Sequence, residues 1–172
     1  MPQFRIATTG DTRVRYLDSG GDDRGAPVVF VPGFTCVADD YTEVLPLFGR
    51  CTLVVELRGH GRSVAPHGPY DAAARAGDIG AAIDAVTDGP AHLMTFSRGT
   101  SYALTWALAH RERVRSISIG DYLPEEIFPA AWLHEFPDSP HDIFRPDRGR
   151  YPLLVRDLVD SVDSGSRVGQ GR

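Results

Sequence analysis

Ser97 is the residue whose surroundings most suggest chemistry. It lies in Leu93-Met94-Thr95-Phe96-Ser97-Arg98-Gly99-Thr100, where an apolar run meets a serine and a glycine follows two residues later. Tyr102, Ala103, Trp106, Ala107 and His110 then recur at helical spacing, which predicts a strand, a sharp turn and a helix with the serine at the apex. The pattern is a variant of G-x-S-x-G, with Thr95 in the place of the first glycine. A serine hydroxyl is a weak nucleophile until it is presented to a base and a substrate carbonyl. A tight turn presents it, and leaves the next backbone N–H free to stabilise an oxyanion. Serine is also a favoured helix N-cap, and the pentapeptide alone fits capping better than catalysis. Thr100 stands where a capping box would place Glu or Gln, so the fuller capping signature is missing.

Two further glycine-punctuated loops change the balance, and the elements around them explain why. Val28-Val29-Phe30-Val31 is apolar on both faces, as a covered parallel strand would be, and runs into Pro32-Gly33-Phe34-Thr35. Thr52-Leu53-Val54-Val55 is a second such strand, followed by Glu56-Leu57-Arg58-Gly59-His60-Gly61-Arg62-Ser63. Residues 3–8 and 12–18 alternate as an antiparallel pair, and Ala91–Phe96 and Val114–Ile119 read as two more strands. Helices are expected from about Asp39 or Asp40, from Tyr70 to Asp88, and after Ser97. In the second, Ala76, Ile79, Ile83 and Val86 share a face, with Asp78 and Asp84 pointing elsewhere. Strands alternating with helices give a mainly parallel α/β sheet of about six strands. Ligands bind such sheets outside the carboxyl ends of the strands, and all three loops lie on that edge.

Composition narrows the classes. Of 172 residues, 42% are apolar and 24% charged, as in an ordinary soluble globule of one domain. A net charge of −5 without a basic cluster argues against nucleic acid, and favours small or neutral substrates. Cys36 and Cys51 stand outside metal or redox spacings, and neither a cofactor nor a metal is expected. No secretory signal or membrane-length apolar run is visible, so a cytoplasmic setting is expected.

The order of these motifs resembles the α/β-hydrolase superfamily, of the esterase, lipase and cofactor-free perhydrolase kind. Val31–Thr35 looks like its oxyanion loop, with Pro32-Gly33 where His-Gly is common. Arg58-Gly59-His60-Gly61-Arg62-Ser63 matches its R-G-x-G-x-S turn, with Glu56 where aspartate is common, and Thr95–Gly99 matches the nucleophile position. The resemblance implies that Ser97 is the nucleophile and that the N–H groups of Arg98 and Phe34 form an oxyanion hole. Pro32 has no N–H to offer. Relatives that open epoxides or remove halides carry aspartate at the elbow, so Ser97 speaks against those activities. His60, within the glycine turn, and His110, closing a helix, read as structural.

The family's triad continues with an acid and a histidine after later strands. Residues 120–172 carry prolines at 124, 129, 137, 140, 146 and 152 and do not read as two more strand–helix units. Glu125–Phe136 and Pro152–Val162 read instead as helices resembling the start of a cap. The expected organisation is therefore a hydrolase core over 1–120, a partial helical cap over 121–163 and a disordered tail over 164–172. The chain would then be C-terminally truncated, without its triad acid and histidine, and Val114–Ile119 would be an exposed edge inviting self-association. Asp121 directly follows a strand at the correct edge and is the one acid candidate, with His134 or His141 as bases following it. Two functions are compatible with this. One is a serine hydrolase of carboxylic esters or similar acyl compounds; the other is a non-catalytic relative binding a small apolar ligand or a protein partner.

Overall fold

The computed structural model describes residues 1–10, 12–21, 25–121 and 147–165. Its centre is a sheet ordered β1-β2-β4-β3-β5-β6, comprising β1 (Gln3–Thr9), β2 (Thr12–Asp18), β3 (Val28–Val31), β4 (Thr52–Glu56), β5 (Ala91–Phe96) and β6 (Val114–Gly120). β1 pairs antiparallel with β2, and β2 with β4; the β4, β3, β5 and β6 ladders are parallel. The expected mainly parallel sheet is present, with the three apolar runs at its centre. β6 is an edge strand of this sheet.

β3 is apolar at every position, and β4 and β5 are buried throughout, because both faces are covered. Val29, Val31, Leu53, Val55 and Leu93 point into one core cluster, under α1 (Ala72–Asp84) and α2 (Gly99–Ala109). Val28, Phe30, Val54, Met94 and Phe96 point into the other. That second face is closed by Tyr41, Leu45 and Phe48 from two 3₁₀ segments, Ala38–Tyr41 and Leu45–Phe48, and by Tyr151, Val155 and Val159 of α3 (Arg150–Ser164).

α1 starts at Asp71, whose carboxylate accepts from the N–H of Ala74, an ordinary N-cap. Gly80 allows α1 to sit close to α2: a Cβ there would come within 2.8 Å of the Trp106 indole nitrogen.

Three local expectations are corrected. The helix expected from Asp39 is two 3₁₀ turns, because Pro46 and left-handed Gly49 (φ 67°) cut the segment short. Asp78, expected to point away from the core, is fully buried for a reason given below. Ser164, expected in the tail, is the last residue of α3. The helix expected over 125–136, and residues 166–172, lie outside the described residues.

Candidate active site

Ser97 ends β5 with φ 49°, in the left-handed region that a serine rarely enters, and α2 begins two residues later. The strained strand-to-helix turn is therefore real. Its Oγ makes no hydrogen bond among the described residues. The N–H of Ser97 donates to the Gly120 carbonyl at 2.9 Å, tying the turn to the end of β6.

Gly99 allows the geometry. A Cβ on it would collide with the carbonyl oxygens of Val31 and Pro32, so α2 starts directly against the end of β3. Gly33 is packed as closely: its Cβ would lie 3.2 Å from the Phe96 ring and 3.5 Å from the Ser97 Cβ. The loop expected to donate an oxyanion N–H thus abuts Ser97. Among the described residues neither the Phe34 nor the Arg98 N–H makes a hydrogen bond. Both are the oxyanion donors expected from the sequence, and both are without a competing hydrogen bond there.

Thr95 replaces a glycine without opening the turn. It is fully buried; its hydroxyl donates to the Ser118 carbonyl at 3.2 Å and accepts from the Thr100 hydroxyl at 2.9 Å. The extra side chain is absorbed as a strut between β5, β6 and α2.

The glycine turn after β4 is held by two carboxylates. Glu56 is buried and grips Arg15 with both oxygens, at 2.6 and 2.7 Å, while accepting the N–H groups of Ala38 and Arg62. Burial pushes its pKa up, but Arg15 and the two N–H groups outweigh burial and hold it below its ordinary value. Gly61 is needed here because any Cβ would strike the Glu56 carboxylate. Asp78 of α1 accepts from the Arg58 N–H at 2.8 Å and grips its guanidinium, with Nη2 at 2.7 Å. That pairing is why Asp78 is buried. Nothing in the helical pattern could reveal it, because the partner lies on another element.

His60 hydrogen-bonds the Arg58 carbonyl through Nδ1 and meets the Phe34 ring edge-on at 5.2 Å. The loops of Phe34, His60 and Ser97 therefore share the carboxyl edge. His110 closes α2, bonded through Nδ1 to the Trp106 carbonyl and stacked on its indole. Asp121 follows β6 directly, exposed and with φ 49°; it and Ser97 are the only non-glycine residues of positive φ among those described. Phe96 and Gly120 are partners in the β5–β6 ladder, so Ser97 and Asp121 leave their strands at the same level. His134 and His141 lie outside the described residues. Among those described, no three His, Cys, Asp or Glu side chains group as a metal site would require. No described helix is long and apolar enough to cross a membrane.

Residues that the sequence alone did not single out cluster beside this edge. Arg75 of α1 is buried, with its Cζ 4.8 Å from the Tyr102 ring centroid, 5.6 Å from that of Phe34 and 5.8 Å from that of Tyr70. The one available signal was an arginine one turn before Ile79, in line with the apolar stripe.

The opposite edge holds a serine–histidine–aspartate contact. His92 of β5 meets the Ser116 hydroxyl through Nδ1 at 2.8 Å and Asp163 of α3 through Nε2 at 3.2 Å. A carboxylate only accepts, so Nε2 carries the proton and Nδ1 accepts from Ser116. Burial lowers the His92 pKa, more than Asp163 raises it, and Arg50 and Arg115 lower it further. A hollow of about 480 Å³ lies at this edge, lined in part by Pro27, Gly89, Arg115 and Asp163. Its position is remote from Ser97, and its open walls do not single it out as a site.

A family profile described as the alpha/beta hydrolase fold matches residues 26–144. With that match, the elbow and the sheet order, the chain belongs to the α/β-hydrolase fold family. Among characterised proteins it is similar to a non-heme chloroperoxidase of Streptomyces lividans, at 31% identity over 69% of this chain and 44% of that protein. Among solved structures it is similar to Est816, an N-acyl homoserine lactone degrading enzyme, at 27% identity and a TM-score of 0.62, over 68% of this chain and 45% of that one. It also shares its fold with epoxide hydrolase A of Mycobacterium thermoresistibile, at 23% identity and a TM-score of 0.63, over 69% and 39%. The chain thus spans less than half the length of each of these relatives.

Proposed function

We propose that this chain is part of a serine hydrolase acting on a carboxylic ester or similar acyl compound. One observation carries the reading: a serine in left-handed backbone at a strand-to-helix turn, with Gly33 packed against it. In this reading Ser97 Oγ attacks the acyl carbon, and the carbonyl oxygen gathers negative charge between the N–H groups of Arg98 and Phe34. Collapse expels the alcohol and leaves an acyl-serine, which water then cleaves. A base must take the Oγ proton and return it to the leaving alcohol. Asp121, level with Ser97, is the acid candidate to orient such a base. The serine at the elbow supports acyl transfer over the epoxide chemistry named for one structural relative. Residues 121–163 stand in this proposal as a partial cap, Cys36 and Cys51 fit a cytoplasmic setting as free thiols, and β6 is the surface for self-association.

We further propose that residues 1–172 do not supply the triad base, and that they will not turn over a chromogenic acetate ester at a Ser97-dependent rate. Hydrolysis lost in Ser97→Ala would overturn that, and would direct attention to His134 and His141. The hydrolase reading has a test independent of the base. An arylboronic acid should form a tetrahedral adduct at Ser97, seen by boron NMR and absent in Ser97→Ala. No adduct would favour a non-catalytic relative that binds a small apolar ligand, for which the unengaged Ser97 hydroxyl is the supporting observation.

A further inference from the structure

Among the described residues two arginines are buried, and they are treated very differently. Arg58 is 6% exposed and faces Asp78, which takes three of its guanidinium contacts. Arg75 is also 6% exposed, but among the described residues it pairs with no carboxylate. Its guanidinium makes a single hydrogen bond among the described residues, from Nε to the Tyr70 carbonyl at 3.1 Å. Nη1 is buried without a hydrogen-bond partner, and Nη2 makes no hydrogen bond to any described residue. Asp71, one helical turn earlier, spends a carboxylate oxygen on the N–H of Ala74.

A buried guanidinium without an anion is costly, and the attraction of three aromatic rings offsets that cost only in part. Those rings also say where the free edge sits. Phe34 follows Gly33, which packs on Ser97, and Tyr102 lies on α2 just beyond the elbow. Phe34 is 58% exposed and Tyr70 40%, so this side of the cluster is open to solvent beside the Ser97 edge. What remains unused is the Nη1–Nη2 edge of a planar fork, which matches a planar acceptor with two oxygens and one negative charge.

We propose that Arg75 is a substrate-recognition residue, receiving the carboxylate of an acyl substrate whose ester lies at Ser97. The substrate class is then a monoester of a short dicarboxylic acid, its two ends spaced by a few methylenes along the Phe34 and Tyr102 rings. This inference rests on the hydrolase reading above, yet the two fail separately. The boronate adduct tests Ser97, and a charge preference in binding tests Arg75.

The probes are monomethyl glutarate, which carries a carboxylate, and methyl valerate, a neutral ester of similar length. Calorimetry on the Ser97→Ala chain should show monomethyl glutarate binding at least about tenfold more tightly. Arg75→Gln in the same background should bring the ratio close to one, and Arg75→Lys should restore part of it. Circular dichroism checks that these variants fold. A measurement on the unmutated side chain stands beside them: the Arg75 Nε resonance should shift on adding monomethyl glutarate and stay still with methyl valerate. A ratio near one in the parent overturns the proposal, as does a ratio that survives Arg75→Gln or an Nε resonance that ignores both probes. Inorganic phosphate bound through Arg75 as tightly as monomethyl glutarate would overturn the carboxylate assignment.

Discussion

At the carboxyl edge of the sheet, Ser97 has strained backbone, two N–H groups beside it without hydrogen bonds and, among the described residues, no base bonded to its hydroxyl. At the amino edge, Ser116 has a histidine and an aspartate in hydrogen-bonded sequence, yet it sits within β6, paired with His92 just after an irregularity in the ladder. His92 is 1% exposed, so no substrate can reach it, and Asp163 is committed to Arg50 and Arg115 as well. A chain of hydrogen bonds from serine to carboxylate is thus insufficient for a nucleophile. Presentation by the backbone and room for a carbonyl distinguish the two edges. The amino-edge trio works as a latch, fastening the end of α3 to the sheet.

Breaking the carboxyl edge should have the largest effect. Asp78→Ala leaves Arg58 buried without its partner and should cost about 3–5 kcal/mol, measured by urea unfolding. A loss under about 1 kcal/mol would mean that this ion pair does not hold the glycine turn. Gly99→Ala comes next. Its new methyl group meets the carbonyl oxygens of Val31 and Pro32, so a destabilisation of about 1–3 kcal/mol is expected, with loss of the boronate adduct. An adduct at full strength would separate the Gly33 loop from the function of Ser97.

The sharpest comparison exchanges each serine for glycine. Ser97→Gly relieves a left-handed backbone and should stabilise the fold by about 1 kcal/mol while abolishing the adduct. Ser116→Gly loosens a strand and removes the hydroxyl that His92 accepts, and should destabilise by about 1–2 kcal/mol. Shifts of the same sign in urea midpoints would refute the contrast between the two edges.

The smallest effect is a pH dependence at the latch. Because burial lowers the His92 pKa in the folded state, the unfolded chain takes up its proton first on acidification. Stability should therefore decline as pH falls below about 6.5, and His92→Gln should flatten that decline. Asp163 acts in a separate, more acidic window. Burial pushes its pKa up, but Arg50, His92 and Arg115 hold it lower, and the stability this provides disappears as pH falls through that lowered value.

What could be read from the chain alone follows from how far each interaction reaches. β3, β4 and β5 were legible because burial on both faces makes their sequences mostly apolar, and the elbow because serine and glycine flank a local turn. Asp78 and Arg75 were not, since their environments are made by Arg58, Tyr70 and Tyr102, which reach them only after folding. Thr95 shows the same limit. As a letter in the pattern it argues against a tight turn, and only the Ser118 carbonyl and the Thr100 hydroxyl explain how the turn accepts it. The segment after Gly33 misled for a local reason: its acidic start resembles a helix, and Pro46 and Gly49 end it after single turns.

The strand order has a consequence for how this chain is made. β2 pairs with β4, not with the β3 that follows it, so a ribosome that has released only the first forty residues presents β3 with neither neighbour. Val28-Val29-Phe30-Val31 then waits for β4 on one side and, some sixty residues after its own emergence, for β5 on the other. During that interval the most apolar stretch of the future core is open to any other nascent chain. Slow synthesis through residues 32–90 should therefore lower soluble yield, whereas pauses after β5 has emerged should cost little.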